Sequence, residues 1–257
     1  MTDFSPLQKV IPAIKSENLL PIVVFDLDDT LFSTARRNLT IIQNFAADQS
    51  DQFPDFAKVA AKLSLSDMNW SVKFALTQAG LDANSASIAP FIAYWGNTFF
   101  TDDYASLDLP NPGAVDFANA CHDAGAMIFY LTGRHIGDPG LKNGMGLGTA
   151  LDFTNRGFPF WKGRCELKLK KEKTQTDVDY KSEALAEINS LKGTVVATFD
   201  NEPGNSVLFN QHYPNALNFW VKTTWNPNDK VSTEGLNVIS DFSDWQTPAS
   251  NYSSQKP

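Results

Sequence analysis

The sequence predicts an α/β fold: a Rossmann-like parallel sheet core flanked by helices, with an inserted, mostly α-helical domain. Three observations predict it. Compact apolar runs rich in β-branched or aromatic residues recur as candidate strands buried on both faces. Helical patterns with recognisable ends lie between them. One interval, from Asp26 to Thr132, is about three times the roughly 30 residues that a strand–helix–strand unit needs.

Taken in order, Ile22 to Leu27 reads as the first strand. The surplus chain follows, residues 33–108, with helical spacing at Leu39, Ile42, Phe45 and Ala46, then Val59, Ala60 and Leu63, then Val72, Phe74 and Ala75. It ends in an aromatic group, Phe91, Tyr94, Trp95, Phe99, Phe100 and Tyr104. These rings either form the insert's own core or line a substrate pocket. Asn111-Pro112-Gly113 opens the next helix with a cap residue and Pro at its first position, and Gly125 stops it. Ala126 to Leu131 is the second strand. Leu167 to Lys170 alternates apolar and charged residues and reads as a short extra strand at an edge. A helix over about 179–192 places Ala184, Leu185, Ile188 and Leu191 on one face, with Gly193 past its end. Thr194 to Phe199 and Ala216 to Val221 complete the strands. Strands alternating with helices imply a parallel sheet. The core is therefore assigned to 1–32 and 109–245 and the insert to 33–108. The polar, aperiodic stretch 246–257 is assigned as a frayed tail.

Composition narrows the function classes. Of 257 residues, 42% are hydrophobic and 19% charged, ample for a packed core. A formal net charge of −8 argues against a general binder of nucleic acid or anionic membrane, whose affinity comes from Lys and Arg. A local basic pocket for one small anion remains open. The first ten residues show no basic-then-apolar leader, and the run Ile22 to Phe25 meets Asp26 too soon to span a bilayer. A cytoplasmic location is the expectation. Cys121 and Cys165 lack metal or redox spacing and read as packed thiols. His122, His135 and His212 are scattered. Gly137, Gly140, Gly144, Gly146 and Gly148 read as a loose connection, since they do not open directly from a strand as a nucleotide cradle does.

The chemistry concentrates at strand ends. Ile22-Val23-Val24-Phe25 runs straight into Asp26, Asp28 and Asp29, placing carboxylates at the C-terminal edge of the sheet, where open α/β sheets bind ligands. In extended backbone Asp26 and Asp28 leave on the same side. Two ionised carboxylates that close repel unless a cation lies between them, and oxygen ligands suit Mg²⁺. The alternative is that they merely cap a turn. Thr132-Gly133-Arg134 follows the second strand, Asp200-Asn201-Glu202 the third, and Lys181 stands at the start of the helix before that third strand.

Together these residues resemble the four motifs of the haloacid dehalogenase superfamily: Asp26-Leu27-Asp28-Asp29-Thr30, Thr132, Lys181 and Asp200, in that order. The resemblance covers about 22–221. It implies a core with an inserted helical cap, Asp26 as nucleophile, and Asp28 as acid and then base. It further implies Mg²⁺ held by Asp26, the main-chain carbonyl of Asp28 and Asp200, with Thr132 and the amide of Gly133 on phosphate and Lys181 balancing charge. Because dehalogenases lack an acid at the position of Asp28, the resemblance points to phosphoryl transfer: a phosphatase acting on a small phosphorylated metabolite through an aspartyl-phosphate. A phosphotransferase or phosphomutase, or a non-catalytic binding protein, are the alternatives. Oligomeric state is undetermined. Lys168, Lys170, Lys171 or Lys173 could replace Lys181. Arg134 either contacts phosphate or substrate or makes a structural ion pair. Glu202 or Asn205 is assigned to support of the metal site.

Overall fold

The computed structural model describes residues 5–137, 144–171 and 173–246; Gly140 and nearly all of the tail, 247–257, lie outside them. In chain order the elements are α1 (Val10–Ser16), β1 (Pro21–Phe25), β2 (Phe32–Ser33), α2 (Ala35–Asp48), α3 (Pro54–Ala60), α4 (Val72–Gln78), α5 (Ile88–Thr98), α6 (Asp102–Ala105) and β3 (Leu109–Pro110). They continue with α7 (Ala114–Asp123), β4 (Met127–His135), α8 (Gly146–Arg156), β5 (Cys165–Lys170), α9 (Asp177–Ser190), β6 (Thr194–Asp200), α10 (Pro203–His212), β7 (Leu217–Val221) and β8 (Asn237–Ile239). No helix among the described residues is long and apolar enough to cross a membrane.

Six strands pair in the order β5-β4-β1-β6-β7-β8, every pair parallel. The alternating side chains of β1 explain why it is buried on both faces. Val23 and Phe25 pack with α1 and α7 on one side, and Ile22 and Val24 with α9 and α10 on the other. In the central register Phe25 lies beside Phe199, and Phe199 beside Phe219. Their rings stack at 4.8 and 4.5 Å. This aromatic ladder stands directly behind Asp26 and Asp200. From β1 the chain builds outward through β4 and β5, then crosses back to β6 and builds the other way. The C-terminal ends of β1 and β6 are thus the topological switch point, where the crevice of an open α/β sheet opens.

Three local findings differ from the sequence reading. Helix α7 starts at Ala114 rather than at Pro112, because Gly113 is its N-cap in the left-handed conformation (φ 73). Asn111 does not cap it but donates to the main-chain carbonyl of Thr30 at 2.7 Å. Strand β4 continues past Leu131 to His135, with an irregular register between Thr132 and His135. The sheet also has a sixth strand, the three-residue β8. A Cβ at Gly113 would stand 2.4 Å from the main-chain oxygen of Phe242, so Gly113→Ala combines positive φ with a backbone clash. We expect it to cost about 2 kcal/mol, read as a lowered urea midpoint at unchanged slope.

Between β2 and β3, which pair antiparallel through Phe32–Pro110 and Ser33–Leu109, residues 35–105 form helices α2 to α6 around a separate apolar cluster. Ile41, Ile42, Phe45, Phe56, Leu76 and Phe91 lie at its centre. Of the aromatic group, Phe91 and Phe99 are buried, and Tyr94, Trp95, Phe100 and Tyr104 pack against the cluster from its edge. Cys121 and Cys165 are both free thiols.

Candidate active site

β1 ends at Phe25, and the chain then turns sharply: the amides of Leu31 and Phe32 both donate to the carbonyl of Leu27. Asp29 takes positive φ (58) in this turn, and its carboxylate accepts from the amide and hydroxyl of Thr34. Thr30 ties the turn to the end of β6. Its hydroxyl donates to Asn201 Oδ1 at 3.2 Å and accepts from the amide of Asn201 at 2.9 Å. The two acidic strand ends are thereby locked side by side.

Lys181, in the second turn of α9, is 1% exposed and reaches both: Nζ donates to Asp26 Oδ1 at 2.8 Å and to Asp200 Oδ2 at 2.6 Å. Burial would lower its pKa, but Asp200 and Asp26 outweigh burial and raise it, so the ammonium stays charged. The other candidate lysines are engaged elsewhere. Lys168 pairs with Glu187, Lys170 with Asp177, and Lys173 donates to the carbonyl of Gly96; Lys171 lines a separate small cavity. For Asp26, burial is the largest influence and raises the pKa; Lys181 opposes it, Asp200 adds to it, and the result is about 8. One ammonium between two buried carboxylates does not suffice to keep Asp26 ionised.

Asp28 goes elsewhere. The extended geometry that would set its carboxylate beside that of Asp26 stops at Phe25, and in the turn its side chain meets two arginines instead. Arg37 Nη2 donates to Asp28 Oδ1 at 2.7 Å and Arg134 Nε at 2.9 Å. Burial alone would raise the Asp28 pKa, but Arg134 and then Arg37 pull it down to about 2. The same arginines hold Asp108: Arg37 through Nε at 3.0 Å and Nη2 at 2.9 Å, and Arg134 through Nη2 at 2.7 Å. Arg37, Arg134 and Asp108 are each 0% exposed. For Asp108, burial outweighs the two arginines and lifts its pKa to about 6. Arg134 also donates to Thr149, and Arg37 to the carbonyl of Phe99, over whose ring it lies at 3.9 Å. Arg134 thus sits behind Asp28 rather than on the cavity wall: of its two sequence readings, the geometry is that of the ion pair and not of a phosphate contact. Arg37 and Asp108 went unread in the sequence, where one is half of an Arg-Arg pair opening a helix and the other a lone Asp before a proline-bearing strand. No single-sequence signal distinguishes them from solvated charges.

Thr132 is fully buried, and its hydroxyl accepts from the amide of Arg134. Gly133 lines the cavity, where a Cβ would lie 2.7 Å from the Asp177 carboxylate; The amide of Glu202 and Asn205 Nδ2 both donate to Asp200 Oδ1, at 2.9 and 3.2 Å. Burial, then Asp200, raises Glu202 to about 7.

Among the described residues no three His, Cys, Asp or Glu side chains form a ready ligand set, since Asp28 turns to its arginines. Asp26 and Asp200 remain, two carboxylates facing one ammonium. Beside them Asn205 Oδ1 is a buried acceptor with no hydrogen-bond partner, which is costly unless something positive or protic meets it. Hard oxygen donors, excess negative charge and an unmet acceptor fit a hard divalent cation.

Above the strand ends opens a cavity of about 450 Å³. Its floor includes Asp26, Asp28, Gly133, Lys181 and Glu202, and the helical insert supplies the facing wall, with Asn38, Trp70, Ile92, Trp95 and Phe100. The aromatic group therefore serves both of the uses the sequence left open.

No protein-family model and no curated protein matches the sequence. Solved structures match over most of the chain. A protein predicted to be a phosphoglycolate phosphatase, from Haemophilus somnus, is 13% identical, with a TM-score of 0.54 over 88% of this chain and 96% of that one. Protein tyrosine kinase A of Mycobacterium tuberculosis is 14% identical, with a TM-score of 0.53 over 88% and 96%. A protein described as a haloacid dehalogenase-like hydrolase, from Bacteroides fragilis, is 10% identical, with a TM-score of 0.50 over 87% and 98%. These likenesses bear on architecture, and the six-stranded parallel sheet, its strand order and its helical layers agree with them. The chain has the fold of the haloacid dehalogenase-like hydrolases.

Proposed function

We propose that the protein is a Mg²⁺-dependent phosphatase that hydrolyses a small phosphomonoester through an aspartyl-phosphate on Asp26. The supporting observation is the meeting of Asp26 and Asp200 on the single buried ammonium of Lys181, at the sheet's switch point and beneath a cavity. In this reading a carboxylate oxygen of Asp26 attacks phosphorus, the ester P–O bond breaks, and the alcohol takes a proton from Asp28. Water then attacks the aspartyl-phosphate, giving up its proton to Asp28, and inorganic phosphate leaves. Thr132 and the amide of Gly133 hold phosphoryl oxygens, and Lys181 offsets their charge.

Asp26 and Asp200, with the main-chain carbonyl of Asp28, would hold the ion, and Asn205 and Glu202 would support it from beside Asp200. When bound, Mg²⁺ lowers the repulsion between the attacking carboxylate and the phosphoryl oxygens. Asp28 is held as a carboxylate by Arg37 and Arg134. Proton donation therefore needs those contacts to slacken as substrate enters, and Arg37, carried by the insert, is the contact that a cap movement would change.

The test is hydrolysis of p-nitrophenyl phosphate with Mg²⁺ and with EDTA. Release of nitrophenol and phosphate in equal amounts, abolished by EDTA and restored by Mg²⁺, is the expected result. Nitrophenol without free phosphate, in the presence of added sugars or nucleosides, would instead assign a phosphotransferase on the same site. No release with Mg²⁺ would sink the reading.

A further inference from the structure

We propose that the site selects phosphomonoesters whose leaving group is an uncharged planar aromatic ring, and discriminates against esters that carry a second anionic group. The proposal rests on the phosphatase reading and deepens it by naming the leaving group. Its basis is the unequal chemistry of the two cavity walls.

Every described residue that the insert contributes to the cavity is uncharged. On the core side the described wall carries Asp26, Asp28, Asp29, Asp177 and Glu202 against one cation, Lys181, which is already shared by Asp26 and Asp200. A phosphoryl group can be met by Lys181 and the metal, but a carboxylate or second phosphate reaching the far wall would meet no positive charge. Like-signed or unpaired charge at such a place works against binding.

What the far wall offers instead is flat apolar surface held in place. Trp95 Nε1 donates to Asn38 Oδ1 at 2.8 Å, fixing the indole, and Trp95 packs on Phe99 at 4.7 Å. Phe100 packs edge-on against Phe99 at 4.8 Å. Trp95 and Phe100 are only partly buried and line the cavity, so they keep ring surface for a ligand. Trp70 and Ile92, each 37% exposed, extend the same wall. A cavity of about 450 Å³ lies within the roughly 300–1,000 Å³ of small-molecule sites. Rings offered at fixed orientation favour a planar ring laid against them.

Phe100 has a second part in this. It also lines a neighbouring cavity of about 140 Å³ that contains Lys171 and Lys173. Those amines are the nearest cations that could receive a second anionic group, and the Phe100 ring stands between them and the ester site.

The test compares benzyl phosphate, butyl phosphate and phosphoglycolate, all alkyl esters. The expected kcat/KM order is benzyl over butyl by about tenfold, the size of one good ring contact, and over phosphoglycolate by about a hundredfold. Trp95→Leu should shrink the benzyl-to-butyl ratio about tenfold, and Phe100→Ala should raise the phosphoglycolate-to-butyl ratio. A variant that is merely less stable lowers all three rates together and leaves the ratios as they were. Phosphoglycolate turned over as well as benzyl phosphate, or ratios indifferent to both substitutions, would overturn the proposal while leaving the phosphatase reading intact. Should no ester be hydrolysed, that reading fails, and calorimetric binding to the wild-type protein decides this one. Benzyl phosphate binding more tightly than phosphoglycolate upholds the aromatic wall, and equal or reversed affinity refutes it.

Discussion

Replacing Asp26 by Asn should lower the hydrolysis of p-nitrophenyl phosphate by roughly 10³-fold or more, on the scale seen when an essential nucleophile is removed. The substitution keeps size and shape, and the amide oxygen of Asn can still accept from Lys181 Nζ, which retains Asp200 at 2.6 Å. It also removes a buried carboxylate whose ionisation burial opposes. Stability should therefore change little, and a thermal melt within a few degrees of wild type separates lost chemistry from lost fold. Full activity in a folded Asp26→Asn protein would remove the nucleophile from the reading. Unchanged activity in Lys181→Met would be equally damaging, because that variant leaves Asp26 and Asp200 facing each other without their shared ammonium.

The fold was legible where local chemistry decides it. Apolar runs bounded by Gly and Asp marked four central strands because strands covered on both faces need such runs. The alternation in Leu167 to Lys170 marked β5 because one of its faces is only partly covered. β8 is too short for any periodicity and exists because the edge of β7 is open to it. Asp26, Asp200 and Lys181 were legible for a similar reason: strand ends and the helix before a strand place side chains predictably. The direction of the Asp28 carboxylate was not, since it depends on a turn closed by the carbonyl of Leu27 and on two arginines far away in sequence. Sequence spacing says that a side chain is near the sheet edge; it does not say which distant charge will claim it.

That distant charge is the second large effect. Arg134→Met should destabilise the protein by about 3–5 kcal/mol, because it leaves Asp28 and Asp108 to share Arg37 alone in a region without water to compensate. Asp108→Leu, which leaves two guanidiniums facing Asp28, should cost a comparable amount. The double variant Arg134→Met/Asp108→Leu should be less harmful than the two losses added together, since removing both partners leaves no uncompensated buried charge. Arg134→Lys tests the geometry: one ammonium cannot reproduce the fork that reaches Asp28, Asp108 and Thr149 together, so most of the loss should persist. Urea denaturation of the four variants measures all of this. A loss below about 1 kcal/mol for Arg134→Met, the value of an exposed pair, would mean that water reaches the cluster and that the arginines do not hold Asp28 rigidly. A loss of the expected size has a functional corollary. The same four charges join the insert, through Arg37, to the carboxylate that the phosphatase reading uses for proton transfer, so the network that fastens the insert to the core also aims that carboxylate.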